Sequence, residues 1–326
     1  MLLPYATLAQ KDRDTSYFRI TEINIIGNFK TEDRIVLIAA DLTINQRIPK
    51  KDMKLQFETA ENNVQNTDLF NTVDISNFPI NDTLTELIIT VSERWFFWPI
   101  PIVENADPNF NTWWQRKDFS RLNYGLVLMY NNLGGKAQGI GGLIQLGYSK
   151  RFALLYNIPY ASSNGKLGIS FYGGYDQQHE VTIGTNNNKR VFYTGLGGNT
   201  KEHWQLQFSL LHRHKIVTTN TISAAFKNVS IVPPVSALKQ DYLGDSLPNI
   251  RYLELSYLFK KDKRNYKHYP LTGYYLDLLI QQHGLGINNN LFLTTFEGSA
   301  SKFLKVHNRV YGAIGFKGKF TPQNNI

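Results

Sequence analysis

The sequence predicts a small α/β domain over residues 17–94, followed by an all-β antiparallel transmembrane β-barrel over residues 95–326. In the first part, alternating apolar residues change to helical spacing and back again. The second part consists of segments of about ten residues in which apolar side chains alternate with small or polar ones. No run of about 18 apolar residues occurs, which excludes a transmembrane helix.

The composition narrows the classes of function. Lys and Arg total 35 against 26 for Asp and Glu, a net charge of +9, but the basic residues are spread along the chain and do not predict nucleic-acid binding. With 19% charged and 13% aromatic residues, the chain is too aromatic and too weakly charged to be disordered. It contains no cysteine, which excludes disulfides and thiolate chemistry and suits an oxidising compartment.

The two ends of the chain carry weaker signals. Residues 1–16 are predicted to be a signal-peptide remnant, because Met1–Gln10 is apolar and closes on small residues, although no basic residue precedes Lys11. An ordinary disordered terminus is the alternative. Residues 321–326 are polar and follow directly on a strand pattern, so the chain is expected to be C-terminally incomplete.

Residues 17–94 predict the order strand, helix, helix, strand, strand. The predicted elements are a strand over 17–26, helices beginning near residues 31 and 51, and strands over 73–78 and 84–91. Gly27 and Asn28 favour a turn after the first strand. Thr31 is predicted to cap the first helix, with acidic residues in the turn that follows.

Three motifs in this part resemble those of a POTRA domain, the periplasmic module that precedes outer-membrane assembly barrels. They are Ile23-x-Ile25-x-Gly27-Asn28-x-Lys30-Thr31, Leu69-Phe70-x-x-Val73 and Leu87-x-Ile89-x-Val91-x-Glu93-Arg94. The resemblance assigns Gly27, Asn28, Thr31, Leu69 and Phe70 to the POTRA motif. It implies that the domain binds extended client chains or a periplasmic partner by adding a strand to its sheet. The alternative is that the sheet edge only contacts the barrel rim.

Seven later segments keep apolar side chains on one face and small or polar ones on the other. They contain Leu122, Ile140, Leu167, Trp204, Leu253, Tyr274 and Val306. Many of the apolar faces end in Tyr or Trp, as at a membrane interface, and the opposite faces suit a wet lumen. A soluble β-sandwich also alternates and is the alternative. His212 and His214 share a face with Trp204, which predicts a position at the headgroup boundary and not a metal site.

Two turns resemble those of the BamA/TamA-like surface-antigen barrels. One contains Asp262, Arg264, Pro270 and Gly273, and the other is Asn132-Leu133-Gly134-Gly135. The resemblance implies a Gram-negative outer-membrane protein in which both turns face the periplasm. Up-down alternation then places residues 131–138, 159–166, 199–202, 260–272 and 303–306 in the periplasm, and residues 104–121, 149–151, 176–190, 215–250 and 284–290 outside.

Trp95–Val103 is predicted to be the first barrel strand, and the seam strand of the barrel. The predicted seam residues are Trp95, Trp98, Pro99, Ile100, Pro101 and Ile102. The two prolines each remove a backbone donor and predict weak pairing with the neighbouring strand. The tryptophans are expected to anchor the strand at the membrane interface, and the isoleucines to contact client chains. A linker with no strand is the alternative. With this segment the chain provides 11 strands of the 16 in the resembling barrels.

The resemblance implies insertion or translocation of proteins at the outer membrane, through a lateral seam where a client strand can pair. The expected partners are outer-membrane lipid and unfolded outer-membrane or secreted proteins. The sequence contains no GxSxG, HExxH or phosphate-loop motif, so no enzyme activity, metal or cofactor is predicted. A passive solute channel, a structural barrel, and an exporter of a fused or partner domain are the alternatives.

Overall fold

The structure is a computed structural model that describes residues 16–106, 110–195, 198–240, 242–243, 247–285 and 291–322. The predicted signal-peptide remnant, apart from Ser16, and residues 323–326 lie outside this set. Within the described ranges, no helix is long and apolar enough to cross a membrane.

The N-terminal part is a four-stranded sheet with two helices. Its elements are β1 (Tyr17–Ile26), α1 (Asp33–Ala40), β2 (Arg47–Pro49), α2 (Met53–Gln65), β3 (Phe70–Pro79) and β4 (Leu84–Glu93). The strand order is β2-β1-β4-β3, with β1 and β4 parallel and the outer pairs antiparallel. The predicted order of elements is confirmed, with the three-residue β2 as an addition that is too short to show a periodic pattern.

The core of this domain lies between the sheet and the helices. Its buried side chains include Ile20, Ile35, Val36, Phe57, Val64, Leu69, Phe70, Leu87 and Ile89. Burying one such side chain stabilises a fold by roughly 1.5–3 kcal/mol. Phe96, which follows the last strand of the domain, is buried in the same core, and Tyr130 and Tyr160 from the second part pack against it. The two parts therefore share one continuous apolar contact.

The first helix begins differently from the prediction. Its N-cap residue is Glu32, which makes no side-chain cap, and Asp33 occupies the first turn. The Thr31 hydroxyl instead donates to the Glu93 carboxylate at 2.6 Å. The prediction that Thr31 caps the helix is wrong, because a partner 62 residues away holds its hydroxyl.

The second part is built almost entirely of strands. Its elements are β5 (Phe97–Asn105), α3 (Phe110–Arg116), β6 (Leu122–Leu133), β7 (Gln138–Gly147), β8 (Lys150–Ile158), β9 (Leu167–Gln178), β10 (Glu180–Asn186), β11 (Lys189–Thr194), β12 (Lys201–Lys215), β13 (Thr218–Ile231), α4 (Pro233–Leu238), β14 (Asn249–Asp262), β15 (Gly273–Leu285), β16 (Leu293–His307) and β17 (Val310–Phe320). Eleven strands form one sheet in the order β17-β16-β15-β14-β13-β12-β9-β8-β7-β6-β5, with every neighbouring pair antiparallel. β10 and β11 form a separate hairpin.

The two faces of this sheet show the reverse of the burial found in a soluble protein, because the polar side chains are buried and the apolar side chains are exposed. One face, here called the polar face, carries buried polar side chains such as Asn123, Gln145 and Glu254. The other, the apolar face, exposes large apolar side chains such as Leu206 and Phe208. A soluble sandwich would cover the apolar face with a second sheet, and among the described residues none does so. The predicted alternation is confirmed, and it has the sense of a transmembrane barrel.

Two strands were assigned wrongly from the sequence. The stretch 215–250, expected to be a connection outside the membrane, contains β13, which pairs with β12 and β14 along its length. The predicted count of eleven strands included the segment that contains β11 and left out β13. In the structure β11 pairs only with β10. The number of wall strands is therefore right, although one member differs.

The exchange of strands alters the predicted sidedness of two connections. The connections β6–β7, β8–β9, β12–β13, β14–β15 and β16–β17 share one end of the sheet, which the N-terminal domain contacts and which is called the domain end. Residues 199–202 lie at the opposite, far end, contrary to the prediction. Residues 216–217 form the β12–β13 turn at the domain end, although they were expected outside.

Candidate functional site

β5 lies at one edge of the eleven-stranded sheet. It pairs antiparallel with β6, from Phe97 opposite Tyr130 to Asn105 opposite Leu122. Among the described residues no strand pairs with its other side, which is called the free edge. The prediction of a strand is confirmed, with a start at Phe97 instead of Trp95, and the alternative of a linker is wrong.

The hydrogen-bond phase of β5 shows which groups face the free edge. In an antiparallel pair, opposite residues alternately bond to each other and point their backbone groups away. The Asn131 N–H donates to the Phe96 carbonyl at 2.8 Å before β5, and the Ala106 N–H donates to the Arg121 carbonyl at 2.9 Å after it. Phe96 and Ala106, the residues on the β5 side of these two bonds, are both even-numbered, so the even-numbered residues of β5 bond to β6. The odd-numbered residues of β5 therefore point their N–H and C=O groups to the free edge.

Pro99 and Pro101 are odd-numbered, and they stand opposite Leu128 and Leu126. The N–H groups that they lack are therefore missing from the free edge, not from the β5–β6 ladder. The β5–β6 ladder keeps its donors, so the weak pairing predicted from the prolines applies to a strand on the other side of β5. The free edge offers a carbonyl acceptor at each of these positions but no donor, so a strand that pairs there forms two hydrogen bonds fewer than with an ordinary strand.

The side chains of β5 also divide between the two faces. Opposite residues share a face, so the prolines lie with leucines of β6 on the apolar face. Trp98, Ile100 and Ile102 lie on the polar face, where they form three successive apolar positions beside the free edge. This group is called the seam patch. The expectation that Trp98 anchors β5 at the lipid interface is wrong, because its side chain shares the face of Met129 and not that of the exposed leucines.

Trp95 lies in the connection between β4 and β5. Its side chain is 67% exposed, whereas that of the next residue, Phe96, is buried in the N-terminal core. The Arg94 N–H donates to the Leu69 carbonyl at 2.8 Å. The chain is thus fixed on both sides of Trp95 as it enters the sheet.

Glu93 joins the POTRA-like motif to the β6–β7 turn. Its carboxylate accepts hydrogen bonds from the Lys30 N–H at 3.0 Å and from the N–H and hydroxyl of Thr31, both at 2.6 Å. The buried Asn132 side chain donates to Thr31 Oγ1 at 2.8 Å. Two motifs that are separate in the sequence therefore meet at Thr31.

Gly27 and Asn28 shape the loop that presents Thr31. Gly27 has a φ of +95°, and a Cβ there would lie 2.0 Å from the Val91 carbonyl oxygen, so only glycine fits. The Asn28 amide donates to the Thr31 carbonyl at 2.9 Å and to the Asp33 carboxylate at 2.6 Å.

The β6–β7 turn approaches the same loop through its backbone. The Glu32 N–H donates to the Gly135 carbonyl at 2.9 Å. A Cβ on Gly135, whose φ is +75°, would lie 2.1 Å from the Lys30 carbonyl oxygen. The turn itself is held by Asn132, whose side-chain oxygen accepts the Ala137 N–H at 2.9 Å. This Asn-Leu-Gly-Gly turn is therefore shaped to receive the N-terminal domain.

A second contact joins α1 to the β8–β9 loop. Arg34 donates to the carbonyl oxygens of Tyr160, Ser162 and Ser163, at 3.3, 3.0 and 3.0 Å. The Tyr160 ring packs on the guanidinium of Arg213, with 4.6 Å from its carbon to the ring centroid. Burial raises the pKa of the Tyr160 hydroxyl. Sequence analysis assigned no role to either arginine, because nothing in their local sequence shows these partners.

The β14–β15 loop contains the second barrel-like turn. Arg264 binds Asp262 with two hydrogen bonds, at 2.8 and 2.7 Å, and these bonds raise the pKa of Arg264. Pro270 is half-buried in the same loop, and Gly273 begins β15. These four residues give the loop a fixed shape.

The same loop contacts the end of α2. Lys267 donates its N–H to the side-chain oxygen of Asn66 at 2.8 Å and its Nζ to the Asn66 carbonyl at 2.7 Å. His268 Nε2 lies 2.6 Å from Asp68 Oδ1. The N-terminal domain thus contacts three separate loops at the domain end.

A cavity of about 520 Å³ remains between the domain and the polar face. Its lining includes Asn66 and Asp68 from the domain, and Arg213, Lys260 and Asp262 from the sheet. Because these sheet residues lie at the domain end, the N-terminal domain covers that end of the polar face.

The far end carries a cap formed by the β10–β11 hairpin and the α4 segment. Val181, Ile231 and Val235 form its buried apolar centre. Glu180 at the base of the hairpin accepts hydrogen bonds from Arg121 at 2.9 Å and from the Tyr148 hydroxyl at 2.7 Å. Both ends of the polar face therefore have folded structure over them.

A charged cluster on the polar face was not predicted. Glu254 Oε2 lies 2.7 Å from both Lys227 Nζ and His283 Nδ1, and the three residues come from β13, β14 and β15. The alternation places each on the polar face, but only the register brings them together. A buried group of this kind favours one register, because a shift would leave the carboxylate unpaired. Among the residues described, no group of His and acidic side chains could hold a metal ion.

Searches of family models and of curated proteins found no match to this chain. Solved structures do match. CdiB from Escherichia coli superimposes with a TM-score of 0.53 at 13% identity, covering 94% of this chain and 54% of that one. BamA from Haemophilus ducreyi lacking POTRA domains 1–3 superimposes with a TM-score of 0.49 at 12% identity, covering 93% of this chain and 55% of that one. CdiB from Acinetobacter baumannii superimposes with a TM-score of 0.48 at 11% identity, covering 95% of this chain and 54% of that one.

The superposition on the Escherichia coli protein shows the fold. The chain shares the β-barrel fold of CdiB, which agrees with the barrel fold that the sequence resemblance implies. It spans about half the length of these structures.

Proposed function

We propose that this protein inserts or translocates proteins at the Gram-negative outer membrane through a lateral seam at the free edge of β5. In this proposal it is of the BamA/TamA-like type, and residues 17–94 are a POTRA domain in the periplasm. The observation that carries the proposal is the construction of β5, which lacks two proline donors on the side away from β6 and has the apolar seam patch beside that side.

The prolines make the free edge easy to separate from a strand that closes the barrel. Of the five odd-numbered residues of β5, which face this edge, two are prolines. A hydrogen bond contributes roughly 0.5–1.5 kcal/mol net, so the two missing bonds weaken pairing at this edge by about 1–3 kcal/mol. The β5–β6 ladder keeps its donors, so β5 stays in the sheet when the seam opens.

The seam patch supplies a surface for the client. A barrel strand in transit must carry its lipid-facing apolar side chains past a polar interior, where they have no partners. Ile100 and Ile102 offer an apolar contact on that face, directly beside the opening. A client strand then bonds to the remaining groups of the free edge and carries its apolar face into the lipid. This process needs neither a catalytic residue nor a cofactor.

The N-terminal domain supports the same proposal. Its βααββ order and the meeting of its motifs at Glu93 and Thr31 fit a POTRA domain, and its contacts with three loops would hold it beneath the polar face. A passive channel is less well supported, since the domain covers one end of that face and the hairpin cap covers the other.

Photo-crosslinking in cells tests the seam. A photo-reactive residue at Ile102, on the polar face of the edge strand, should trap nascent outer-membrane proteins. The matched control is Leu258, half-buried on the polar face of β14, which is paired on both sides. Leu278, on the apolar face of β15, is a second control. Trapping at Ile102 alone supports the proposal. Equal trapping at all three positions, or steady conductance with no trapping, contradicts it.

A further inference from the structure

A groove of about 550 Å³ lies between the N-terminal domain and the domain end of the sheet. On the domain it is lined by apolar side chains, among them Leu37, Ile38 and Ile44. The sheet side provides Lys166, His214 and Lys215. The volume lies in the range of ligand-binding pockets. An apolar floor with a basic rim is suited to a ligand that combines an apolar chain with an anionic head.

The groove is firmly built. Lys166 follows Gly165, where a Cβ would lie 2.5 Å from Cγ2 of Ile38, so the β8–β9 loop packs tightly on α1. The Lys166 N–H donates to the Asn164 side chain at 3.0 Å, and its carbonyl accepts the Arg213 N–H at 2.7 Å. The backbone at the rim is therefore fixed before any ligand binds.

The rim carries two lysines without ion-pair partners, beside an imidazole. Lys166, His214 and Lys215 are exposed, and within the described part of the chain their side chains form no ion pair. Asp41 is the acidic residue in the lining. Arg213 also lines the groove, but its guanidinium is engaged by the carbonyls of Pro159 and Gly165, at 2.5 and 3.0 Å.

The groove lies where the apolar band of β12 ends. Trp204, Leu206, Phe208 and Leu210 alternate along the exposed apolar face, and the next residues on that face are His212 and His214. Six residues of strand rise about 20 Å, and a strand tilt of about 40° reduces this to about 15 Å across the apolar band of about 25 Å in outer-membrane barrels. The basic rim follows the end of this apolar run, at the domain end of the sheet.

We propose that this groove binds one anionic phospholipid from the leaflet at the domain end. Its phosphate lies between Lys166 and Lys215, and an acyl chain lies on Leu37, Ile38 and Ile44. Because the lipid contacts both parts of the chain, it stabilises the docked position of the N-terminal domain. This inference rests on the proposed function, since it requires the sheet to be in a membrane.

Quenching of single labels in vesicles tests it. The chain contains no cysteine, so one introduced cysteine can be labelled cleanly with a fluorophore. Ile44→Cys places the label at the groove, and Leu206→Cys places it on the lipid-facing band. The probes are phosphatidylcholine vesicles that contain the same minor fraction of nitroxide-labelled phosphatidylglycerol or nitroxide-labelled phosphatidylcholine.

The label at residue 44 should be quenched several-fold more strongly by phosphatidylglycerol, and the label at residue 206 equally by both lipids. The rim variant Lys166→Gln/Lys215→Gln should reduce this preference to almost none, since each lysine near an anionic surface contributes about 1 kcal/mol of attraction. Lys189→Gln/Arg190→Gln at the far end removes the same charge and should retain the preference.

The outcomes separate the two proposals. No quenching at residue 206 shows that the sheet is not in the membrane and overturns both. Quenching at residue 206 with equal or absent quenching at residue 44 overturns the groove and leaves the barrel standing. A preference that inorganic phosphate abolishes indicates a site for free phosphate and also overturns the phospholipid proposal.

Discussion

At the residue scale, Glu93 shows how one carboxylate fixes the entry to a domain interface. Its oxygens accept the N–H groups of Lys30 and Thr31 and the Thr31 hydroxyl, which in turn accepts from Asn132. The sequence predicted that Thr31 and Glu93 belong to a motif, because they recur in the resembling family. It could not predict that they bond to each other, since that contact depends on the parallel pairing of β1 with β4.

Replacing Glu93 with Gln should loosen this loop. The amide loses the negative charge that strengthens the three hydrogen bonds, and its nitrogen cannot accept the second contact of the Lys30 N–H at 3.1 Å, so the loop loses about 1–3 kcal/mol of stabilisation. Hydrogen–deuterium exchange should become faster at the amides of Lys30 and Thr31. The control is Glu58→Gln on the exposed side of α2, which should change neither. Unaltered exchange in Glu93→Gln would contradict the role given to the carboxylate.

At the element scale, periodicity predicted which segments are strands better than it predicted their partners. β13 has Asn220 and Asn228 on its apolar face and the buried Ala225 on the other, so its alternation is weak. Its position in the eleven-stranded sheet depends on its pairing with β12 and β14. β11 has a strong strand composition but only six residues, and it pairs locally with β10.

The prolines of β5 illustrate the same limit. Pro99 and Pro101 share a parity, so the sequence alone shows that both lack a donor on the same side of the strand. Whether that side faces β6 or the free edge follows only from the register. Removing donors from an exposed edge is a known means of preventing strands of two molecules from pairing.

Pro99→Ala/Pro101→Ala should therefore increase pairing at the free edge. The two restored donors add about 1–3 kcal/mol to strand association there, or roughly tenfold or more in the association constant. Sedimentation velocity in detergent should show a larger dimer fraction. Client crosslinking at Ile102 should fall, because the seam opens less readily. The control Pro234→Ala, in the exposed first turn of α4, should leave both unchanged. A double variant that stays monomeric would show that the prolines do not protect this edge.

At the scale of the whole molecule, the N-terminal domain and the sheet form one unit at the domain end. Arg34, Asn66 and Glu93 contact or support three different loops of the sheet. The periodicity of the sequence predicted the strands and helices of the first part and the alternating strands of the second, because each part has its own period. It could not predict their docking, which uses side-chain-to-backbone contacts between residues more than a hundred positions apart.

This arrangement gives a sharp test of sidedness. Tyr269 in the β14–β15 loop lies at the domain end and is 74% exposed, while Lys189 lies in the exposed β10–β11 hairpin at the far end. In the proposed topology the domain end faces the periplasm. A membrane-impermeant maleimide should therefore label Lys189→Cys on intact cells, and Tyr269→Cys only after the outer membrane is permeabilised. Because both side chains are exposed, a failure to react reports the membrane and not burial. The cysteine-free parent chain provides the background. The opposite pattern of labelling would mean that the sheet is inserted with the N-terminal domain outside, and the proposed delivery of clients from the periplasm would be wrong.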